Sequence, residues 1–292
     1  MRVLILGAGG LLGRHLASAF ADRETTALRR VEADITDTAR MDALFGERWD
    51  VVINAAAVCD FDACERAPAA TGRINHDAPL GLAERCHRSG ALFVQFSSDY
   101  VFAGGEHRVL SEFDETQPLS VYGRQKADLE RLLPEACPRS LLLRIAWLYG
   151  HGGRTFMSMM PGLLAREETL RVASGKRGRC LYAPDAAAWV RRLVDAGQTG
   201  LLNLANTGDT SWEEFARATR DEMEALGLRP RCRDIVEVPF ASLGPNWAKR
   251  PRFSCLDTTQ LERLAPPGPR PWREALRDFV AGEKSFAAAP PL

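Results

Sequence analysis

The sequence lacks an excess of charge of either sign, and this absence limits the partners that it predicts. Lysine and arginine together number 38 of the 292 residues, and aspartate and glutamate together also number 38. A chain with no formal net charge gives no electrostatic reason to bind nucleic acid or an anionic membrane surface. We therefore expect neither as the principal partner. The oligomeric state stays open, with a homodimer as one option.

The sequence also lacks paired cysteines, metal-ligand spacing and long apolar runs. Its seven cysteines are scattered, with no C-x-x-C pair, which argues against a disulfide framework or a zinc site. The histidines show no metal-ligand spacing either, so we expect no metal site. No stretch approaches the roughly 20 apolar residues of a membrane-spanning helix. The N-terminal apolar segment runs into glycines, unlike a signal peptide, so we expect a soluble, cytoplasmic protein.

What the chain does have is a strand, a tight turn and a helix at its start. The apolar run 3–6 is typical of a strand buried on both faces, and apolar residues at fourfold spacing then predict a helix from about Gly10. Such a turn presents bare N–H groups to a pyrophosphate. A plain structural turn is the alternative, because the spacing is G-x-x-G-x-x-G rather than G-x-G-x-x-G. The predicted cofactor-binding residues here are Gly7, Gly10, Leu11, Leu12 and Gly13.

Two arginines follow the second predicted strand, 25–28, and bear on the choice of cofactor. At this place in a dinucleotide fold, a carboxylate holds the ribose 2′-OH, whereas arginine accepts a 2′-phosphate. Arg29 and Arg30 therefore favour NADPH over NADH, unless they are merely solvated. A carboxylate of the next segment, where Asp34 precedes Ile35, either contacts the adenine or caps the following helix.

Further buried strands alternate with helical stretches along the first half of the chain. Residues 50–57, 91–98 and 141–149 read as strands, and residues 78–89 read as a helix between two of them. This alternation predicts an α/β fold with a doubly wound parallel sheet. The strand 50–57 ends in Ala55, Ala56 and Ala57, whose small side chains leave room for the cofactor.

Three side chains near the ends of these elements suggest carbonyl chemistry. Tyr122 and Lys126 lie four residues apart on one face of a predicted helix, one element after the strand that ends in Ser98. A phenol can protonate a carbonyl oxygen while hydride arrives at the carbon, and a nearby ammonium lowers the pKa of the phenol. Ser98 would hydrogen-bond the substrate oxygen, and Lys126 would also hold the nicotinamide ribose.

These segments resemble the extended short-chain dehydrogenases/reductases, and within them the reductases of nucleotide-linked 4-keto sugars. The likeness runs nearly end to end, through segments that include GAGGLLG, DVVINAAA, FSSDYVFAG, VYGRQK and RPRFS. It implies a Rossmann-type domain over residues 1–150, to which the chain returns around 180–205. It also implies a smaller C-terminal domain, mostly residues 151–292, that binds the sugar nucleotide.

The resemblance further implies NAD(P)H as the cofactor and a nucleotide sugar as the substrate. It places the catalytic trio on the serine, tyrosine and lysine named above, where the family more often has threonine at the first position. It also places Trp147 near the substrate. Asp99 and Tyr100, which directly follow the catalytic serine, are further predicted substrate contacts.

One segment departs from the pattern of the family. Where the reductases usually read D-D-Q-x-G-x-P-T, this chain reads SGKRGRCL over residues 174–181. Basic groups have replaced acidic and amide groups: Lys176, Arg177 and Arg179 either grip a diphosphate or another anion, or form a solvated basic loop. Arg250, in RPRFS, is a further candidate for a phosphate contact.

Three functions remain in competition. The leading one is NADPH-dependent reduction of a nucleotide-linked 4-keto-6-deoxy sugar, with Tyr122 as the proton donor. The second is a sugar-nucleotide epimerase or dehydratase, but a dehydratase needs an additional acid/base pair and Ser98 is followed by no glutamate. The third is a non-catalytic NADP-binding regulatory subunit, which would not require Tyr122 and Lys126 in register.

Overall fold

The computed structural model describes residues 1–243 and 248–282. The strands within these ranges are β1 (Arg2–Leu6), β2 (Glu24–Leu28), β3 (Val51–Asn54), β4 (Leu92–Ser98), β5 (Val109–Leu110), β6 (Ser140–Ile145), β7 (Leu148–Tyr149), β8 (Thr169–Ala173), β9 (Arg177–Gly178), β10 (Leu181–Tyr182), β11 (Gly200–Leu204), β12 (Thr210–Ser211), β13 (Asp234–Val238) and β14 (Phe253–Leu256).

The helices described are α1 (Leu11–Ala19), α2 (Thr38–Leu44), α3 (Phe61–Arg66), α4 (Pro68–Gly72), α5 (Ala78–Ser89), α6 (Val121–Ala136), α7 (Phe156–Arg166), α8 (Ala183–Asp195), α9 (Trp212–Ala225), α10 (Thr259–Leu264) and α11 (Trp272–Gly282). A π-helical turn over Arg73–Asp77 joins α4 to α5, and 3₁₀ turns cover Asp99–Val101 and Phe240–Leu243. Among the helices described, none is both long enough and apolar enough to cross a membrane.

Six parallel strands form the larger sheet, in the order β2–β1–β3–β4–β6–β11. The direction in which strands are added reverses between β1 and β3, and open α/β sheets bind ligands beyond the carboxyl ends of the strands at such a point. Leu6 lies opposite Leu28 on one side and Asn54 on the other. The residues that follow these three strands therefore meet at one edge of the sheet.

Both faces of this sheet are covered, which is why its strands are apolar throughout. Val3 and Ile5 face a core shared with α1 and α8, whereas Leu4 and Leu6 face a core shared with α2, α5 and α6. Burying one such aliphatic side chain stabilises the fold by about 1.5–3 kcal/mol. The predicted doubly wound parallel sheet is confirmed.

A third apolar core lies in the part of the chain that follows β7. It is formed by α7, α9 and α11 with the parallel pair β8–β13. The ring of Tyr149 packs edge-on against Phe215 at 5.2 Å and Phe279 at 5.3 Å between centroids. A small sheet in the order β12–β9–β14–β5 brings together strands from both halves of the chain.

The segment 141–149, expected as one strand, is two. The strand β6 pairs with β4 and β11 as far as Ile145, and the chain then leaves the larger sheet. After a break at Ala146 and Trp147, β7 pairs in parallel with β10, and the carbonyl of Trp147 accepts a hydrogen bond from the N–H of Leu181. A continuous apolar run cannot indicate a change of strand partner, because both halves of it are buried.

Candidate active site

The glycine-rich turn after β1 forms one wall of the crevice at the switch point. Gly7 has a φ of +81°, and a Cβ on it would lie 2.6 Å from the amide nitrogen of Ala56. A Cβ on Gly13 would lie 2.2 Å from the carbonyl oxygen of Gly7. Both positions require glycine, because any side chain would push α1 or the Ala55–Ala57 loop away from the turn.

Helix α1 presents its N-terminus to this turn. Its N-cap is Gly10, which has no side chain to satisfy the first-turn N–H groups. Leu12 is buried in the core and Leu11 is half-buried, so their contribution to a ligand is their backbone N–H groups. Bare N–H groups at the positive end of a helix dipole suit a pyrophosphate. The turn therefore fits the phosphates of a dinucleotide.

Two exposed arginines lie beside the turn, after β2. The Nε of Arg29 donates to Glu32 at 3.0 Å, and the Arg29 side chain lies 3.4 Å from where a Cβ on Gly9 would be. Arg30 pairs with Asp34 at 3.3 Å. Ion pairs this exposed contribute little to stability, so either guanidinium can exchange its partner for a phosphate.

The acidic segment after β2 serves the local backbone. Asp34 accepts hydrogen bonds from the amide and hydroxyl of Thr36, and Asp37 caps α2 by accepting from the amide of Arg40. The helix cap was one of the two expectations for this segment. Ile35 is buried in the core that also contains Leu6 and Ala56, and its predicted contact with the cofactor stays a prediction.

The three predicted catalytic side chains are brought together beyond the end of β4. Tyr122 and Lys126, in α6, are 5 % and 2 % exposed, and the ammonium of Lys126 lies 5.8 Å from the centre of the Tyr122 ring. The same ammonium donates to the carbonyl of Phe96 at 3.1 Å. Ser98, at the end of β4, faces the Tyr122 hydroxyl.

The alternation of side chains along β4 separates the two serines at its end. The hydroxyl of Ser97 donates to Glu130, which forms a buried ion pair with Arg144 at 2.7 Å. Ser98 points to the other face, where its hydroxyl donates to Asp99 at 3.0 Å and accepts from the amide of Tyr100. Only Ser98 is therefore available to a substrate at the Tyr122 hydroxyl.

Helix α6 is held in place at its first turn. Ser120 caps it by accepting from the amide of Gly123, and the carboxylate of Glu65 accepts from the amide of Val121 at 2.8 Å. A Cβ on Gly123 would lie 2.3 Å from the carbonyl oxygen of Tyr100. Glycine at this position therefore lets α6 pack closely against the 3₁₀ turn that follows Ser98.

The pKa of Tyr122 differs from the expectation drawn from the sequence. We expected Lys126 to lower it, whereas burial raises the pKa of the Tyr122 phenol well above its usual value, and the nearby Cys59 thiol raises it further. Burial likewise lowers the pKa of Lys126. The expectation was wrong because desolvation of the buried phenol outweighs the hydrogen bond with Ser98, which acts to lower the pKa.

Asp99 is a buried carboxylate that directly follows Ser98 in the chain. It is 2 % exposed, and its Oδ2 has no hydrogen-bond partner among the residues described. Burial raises the pKa of Asp99 to about 6, although the hydroxyls of Ser254 and Ser98 and the charge of Lys176 act in the opposite direction. Such an unsatisfied polar atom at a cleft suits a contact with substrate.

Aromatic rings and two cations line the side of the site opposite the glycine turn. Phe61 stacks on Tyr100 at 4.3 Å and meets Tyr122 edge-on at 5.0 Å between centroids. The guanidinium of Arg250 lies over Phe61 at 5.1 Å and over Phe240 at 4.7 Å. The ammonium of Lys176 lies over the Phe240 ring at 4.6 Å, and burial lowers its pKa to about 8.

Both cations are therefore close to the predicted catalytic residues. Lys176 interacts with the charge of Asp99, and Arg250 hydrogen-bonds the hydroxyl of Tyr100. Arg250 also lies 3.9 Å from a carboxylate oxygen of Asp62, while its buried Nε has no hydrogen-bond partner among the residues described. An anionic ligand would complete the hydrogen bonding of this guanidinium.

The structure does not bring the other two predicted basic residues to this place. Arg177 forms a two-point ion pair with Glu214, at 2.9 and 3.1 Å. Arg179 donates to the carbonyl of Leu256 at 2.7 Å. Side chains alternate along a strand, so residues 177 and 179 share one face of β9 and residue 176 lies on the other. Arg179 thus already makes a structural contact, and its predicted contact with the substrate stays a prediction.

Trp147 follows the strand end that faces Ser98. In the larger sheet Ser98 pairs with Ile145, so Trp147 leaves the sheet at the same edge as Ser98. Its ring lies 6.1 Å from that of Trp212, and a Cβ on Gly178 would lie 2.8 Å from it. The indole therefore packs between β9 and the start of α9.

Three residues at the site were not predicted from the sequence. Cys59, the exposed cysteine after the Ala55–Ala57 loop, faces the Tyr122 hydroxyl. Phe61 and Phe240 form the aromatic surfaces under Arg250. The position of Cys59 just after a strand end was a signal for it, whereas nothing in the sequence indicates that rings at positions 61 and 240 lie against the same guanidinium.

Comparison with known proteins shows the family to which the chain belongs. The family model described as "RmlD substrate binding domain" matches residues 1–285. The chain belongs to the RmlD substrate binding domain family. This membership confirms the resemblance to the extended short-chain dehydrogenases/reductases.

Relatives of the RmlD family align with nearly the whole chain. A dTDP-4-dehydrorhamnose reductase from Streptomyces griseus is 36 % identical over 287 residues, covering 95 % of this chain and 92 % of its own. A protein from Streptomyces antibioticus named probable dTDP-4,6-dihydroxy-2-methyloxan-3-one 4-ketoreductase is 36 % identical over 299 residues, covering 97 % of each chain. The crystal structure of dTDP-4-dehydrorhamnose reductase from Bacillus anthracis in complex with NADP has a TM-score of 0.89 at 26 % identity, covering 97 % of this chain and 99 % of that one.

Proposed function

We propose that the protein is an NADPH-dependent reductase of a nucleotide-linked 4-keto-6-deoxy sugar. The observation that carries this proposal is the convergence of Ser98, Tyr122 and Lys126 beyond the end of β4, in the crevice that also contains the glycine turn. The names of the relatives, which are dTDP-linked keto-sugar reductases, support the same substrate class.

The cofactor that the crevice fits is a dinucleotide. Its pyrophosphate would lie at the first turn of α1, and its adenosine end would lie toward Arg29 and Arg30, which favours a 2′-phosphate. Ala55 to Ala57 would form the opposite wall. The Bacillus anthracis relative was crystallised with NADP, which supports NADPH as the preferred form.

The residues of this chain would supply the proton and the orientation. NADPH, when bound, provides the hydride. The Tyr122 hydroxyl would donate its proton to the carbonyl oxygen, and Ser98 would hydrogen-bond the same oxygen and orient it. The Lys126 ammonium, fixed by the Phe96 carbonyl, would hold the nicotinamide ribose and stabilise the phenolate that forms. Proton transfer from such a positioned group contributes about 10²–10⁴-fold to the rate.

The substrate would lie between the catalytic residues and the two cations. Lys176 and Arg250 would hold its diphosphate, because each is close to Tyr100 or Asp99 and the buried Nε of Arg250 has no hydrogen-bond partner among the residues described. Asp99 and Tyr100 would contact the sugar. Trp147 would lie beside it, as in the family.

We further propose that the two halves of the chain have separate tasks. Residues 1–150, with the returning segment 180–205, would bind the cofactor, and most of residues 151–292 would bind the sugar nucleotide. All seven cysteines are free thiols. Because thiols stay reduced in the cytoplasm, we place the reaction there.

The test is a rate measurement on purified protein with NADPH and dTDP-4-dehydro-L-rhamnose, followed by loss of NADPH absorbance. We expect turnover with the wild-type chain, and a rate lower by about 10²–10⁴-fold for Tyr122→Phe with NADPH affinity unchanged. The matched control is Tyr149→Phe, which removes a buried hydroxyl that has no hydrogen-bond partner among the residues described. This control should keep the wild-type rate.

Other outcomes would favour the competing functions. Undiminished turnover by Tyr122→Phe would exclude this tyrosine as the acid. Tight NADPH binding without oxidation by any keto sugar, together with a stoichiometric partner, would support a regulatory subunit. Purification with tightly held NAD⁺ that is recycled during turnover would support an epimerase or dehydratase.

A further inference from the structure

The small sheet brings three metal-binding side chains together, away from the proposed active site. His107 follows the 3₁₀ turn after β4, Asp209 lies between β11 and β12, and Cys255 is in β14. Their ligand atoms all lie within 4.8 Å of one another, and the His107 Nε2 is 3.2 Å from a carboxylate oxygen of Asp209. Sequence spacing gives no hint of this cluster, because its members are far apart along the chain.

The donor set is one that zinc prefers. A thiolate, an imidazole and a carboxylate are its usual protein ligands, and three of them leave a fourth position for water. With bonds of about 2.0–2.3 Å, the ligand atoms around a tetrahedral zinc ion are roughly 3.3–3.8 Å apart. The three side chains would therefore need to move together only slightly. Hard cations such as Mg²⁺ prefer all-oxygen sites, which this is not.

Each ligand is held by a neighbouring residue. Cys255 is fully buried and lies opposite Val109 of β5, in β14, one of the two inner strands of the small sheet. The ring of His107 stacks on Phe253 at 5.0 Å between centroids. Asp209 lies 3.6 Å from the Nε of Arg179, an atom with no hydrogen bond among the residues described. Because His107 and Asp209 are partly exposed, an ion has a path from solvent to the buried thiol.

The charges around the thiol show what binding would change. The Cys255 sulfur faces the Asp209 carboxylate, and the Nε of Arg179 lies 3.6 Å from the same carboxylate. A divalent cation would replace the thiol proton, which would pass to solvent, and would give Asp209 a second positive partner beside Arg179.

We propose that His107, Asp209 and Cys255 form a zinc-binding site with water as the fourth ligand. The ion would join the loop after β4, the turn before β12 and the strand β14. Two of these segments flank β9, whose neighbour Lys176 is at the proposed active site. The ion would thus link three segments of the small sheet, and its binding does not depend on the proposed reaction.

The test uses Co²⁺ as a spectroscopic substitute for zinc in the full-length protein, after treatment with a chelator. We expect one equivalent to bind with a sulfur-to-cobalt charge-transfer band in the near ultraviolet, and one equivalent of Zn²⁺ to abolish that band. Cys255→Ser should lack the band. His107→Gln should weaken cobalt binding by more than about 100-fold, because changes to outer-shell groups alone cost about 10–100-fold.

Two further variants keep the test decisive. Cys59→Ser removes the exposed thiol and leaves the cluster intact, so it should bind cobalt as the wild-type chain does. Asp209→Asn changes a partly exposed side chain, so it tests the site even where loss of the buried Cys255 thiol impairs folding. Absence of the band in the wild-type protein would overturn the proposal. So would a band that persists in Cys255→Ser or disappears in Cys59→Ser.

Discussion

At the scale of single residues, the candidate site contains ionisable groups that are largely removed from water. Asp99 is almost fully buried, and Lys176 lies within the cleft with its ammonium over an aromatic ring. Removing a charge from water is costly. Burial therefore raises the pKa of Asp99 and lowers the pKa of Lys176, and in both residues this favours the neutral form. Side chains that reduce stability in this way are typical of binding and catalytic sites.

The first prediction concerns the stability cost of Asp99. The pKa of its carboxyl rises from 3.8 to about 6 on folding, so the folded state binds the proton more tightly. The contribution of Asp99 to the free energy of unfolding is most favourable below pH 4, falls between pH 4 and 6, and stays low above pH 6. Asp99→Asn should therefore be more stable than wild type by about 1–3 kcal/mol at pH 7.5, and by much less at pH 4.

Urea unfolding at several pH values measures this difference directly. The same variant should be a poorer reductase, because an amide does not hold the Ser98 hydroxyl as the carboxylate does. A stability difference that is the same at pH 4 and pH 7.5 would contradict the role assigned to burial of the charge.

The second prediction concerns the charge of Lys176. If this ammonium holds the diphosphate, Lys176→Gln should raise KM for the sugar nucleotide by about 10-fold and leave kcat within about twofold, since a charge-assisted hydrogen bond is lost. In the wild-type protein KM should rise as the pH passes through about 8, where Lys176 loses its proton. The variant should not show this rise.

Steady-state kinetics between pH 6.5 and 9 on the wild-type protein and on Lys176→Gln measure both effects on KM. Lys249→Gln makes the same change at an exposed lysine and should leave KM unaltered. An unchanged KM in Lys176→Gln would mean that the diphosphate is bound elsewhere.

At the scale of the elements, close packing of α6 positions Tyr122, the proposed proton donor. Gly123→Ala would place a Cβ 2.3 Å from the Tyr100 carbonyl oxygen, so α6 would have to move away from the turn beyond β4. We expect a loss of about 1–3 kcal/mol in stability, as for other overpacked sites, and a lower kcat because Tyr122 moves with the helix.

A second glycine provides the control for this third prediction. Gly72, at the end of α4, has helical backbone angles. A Cβ added to it would have the Gln125 side-chain nitrogen as its nearest neighbour, at 3.6 Å. Gly72→Ala should therefore be neutral or stabilising by up to about 1 kcal/mol. Denaturation midpoints and kcat of Gly123→Ala and Gly72→Ala are the measurements to compare. Equal stability and equal kcat of the two variants would rule out the packing role of Gly123.

The elements also show what the sequence predicts well and where it fails. The strand ending at Ser98 is a largely apolar run and the helix carrying Tyr122 and Lys126 has apolar periodicity, so both elements could be predicted from the sequence. The catalytic roles of the three residues stay predictions. Lys176 lies at the site and Arg177 does not, and this difference depends on the strand register of β9. The order of residue types along the chain does not reveal that register. Phe240 is at the site through a long-range contact that leaves no local pattern.

At the scale of the whole molecule, the larger sheet is built from two separate parts of the chain. Its last strand, β11, enters only after the segment that forms β8 to β10, and α8 covers α1 on one face. A chain ending at residue 150 would lack both, leaving the outer edge of β6 unpaired and the apolar face of α1 exposed. This gives the fourth prediction: such a fragment should not fold cooperatively, although the cofactor-binding region is contiguous up to that point.

Chemical denaturation and gel filtration test the fragment. Because an open apolar edge templates association, we expect aggregation or a broad, weakly cooperative transition. A chain ending at residue 282 serves as the control, since it retains all of the helices and strands described, and it should unfold in one cooperative step. A soluble, cooperatively folding fragment 1–150 would show that the cofactor unit is independent of β11 and α8.

The position of Cys59 has a practical consequence. Six of the seven cysteines are buried, and the exposed one lies beside the Tyr122 hydroxyl. A thiol-directed fluorophore added to the native protein should therefore attach at a single place, in the cleft itself. The dye would count functional molecules in a preparation and report, through its rate of attachment, how often the cleft is filled. The chain thus carries its own labelling site for following ligand occupancy in real time.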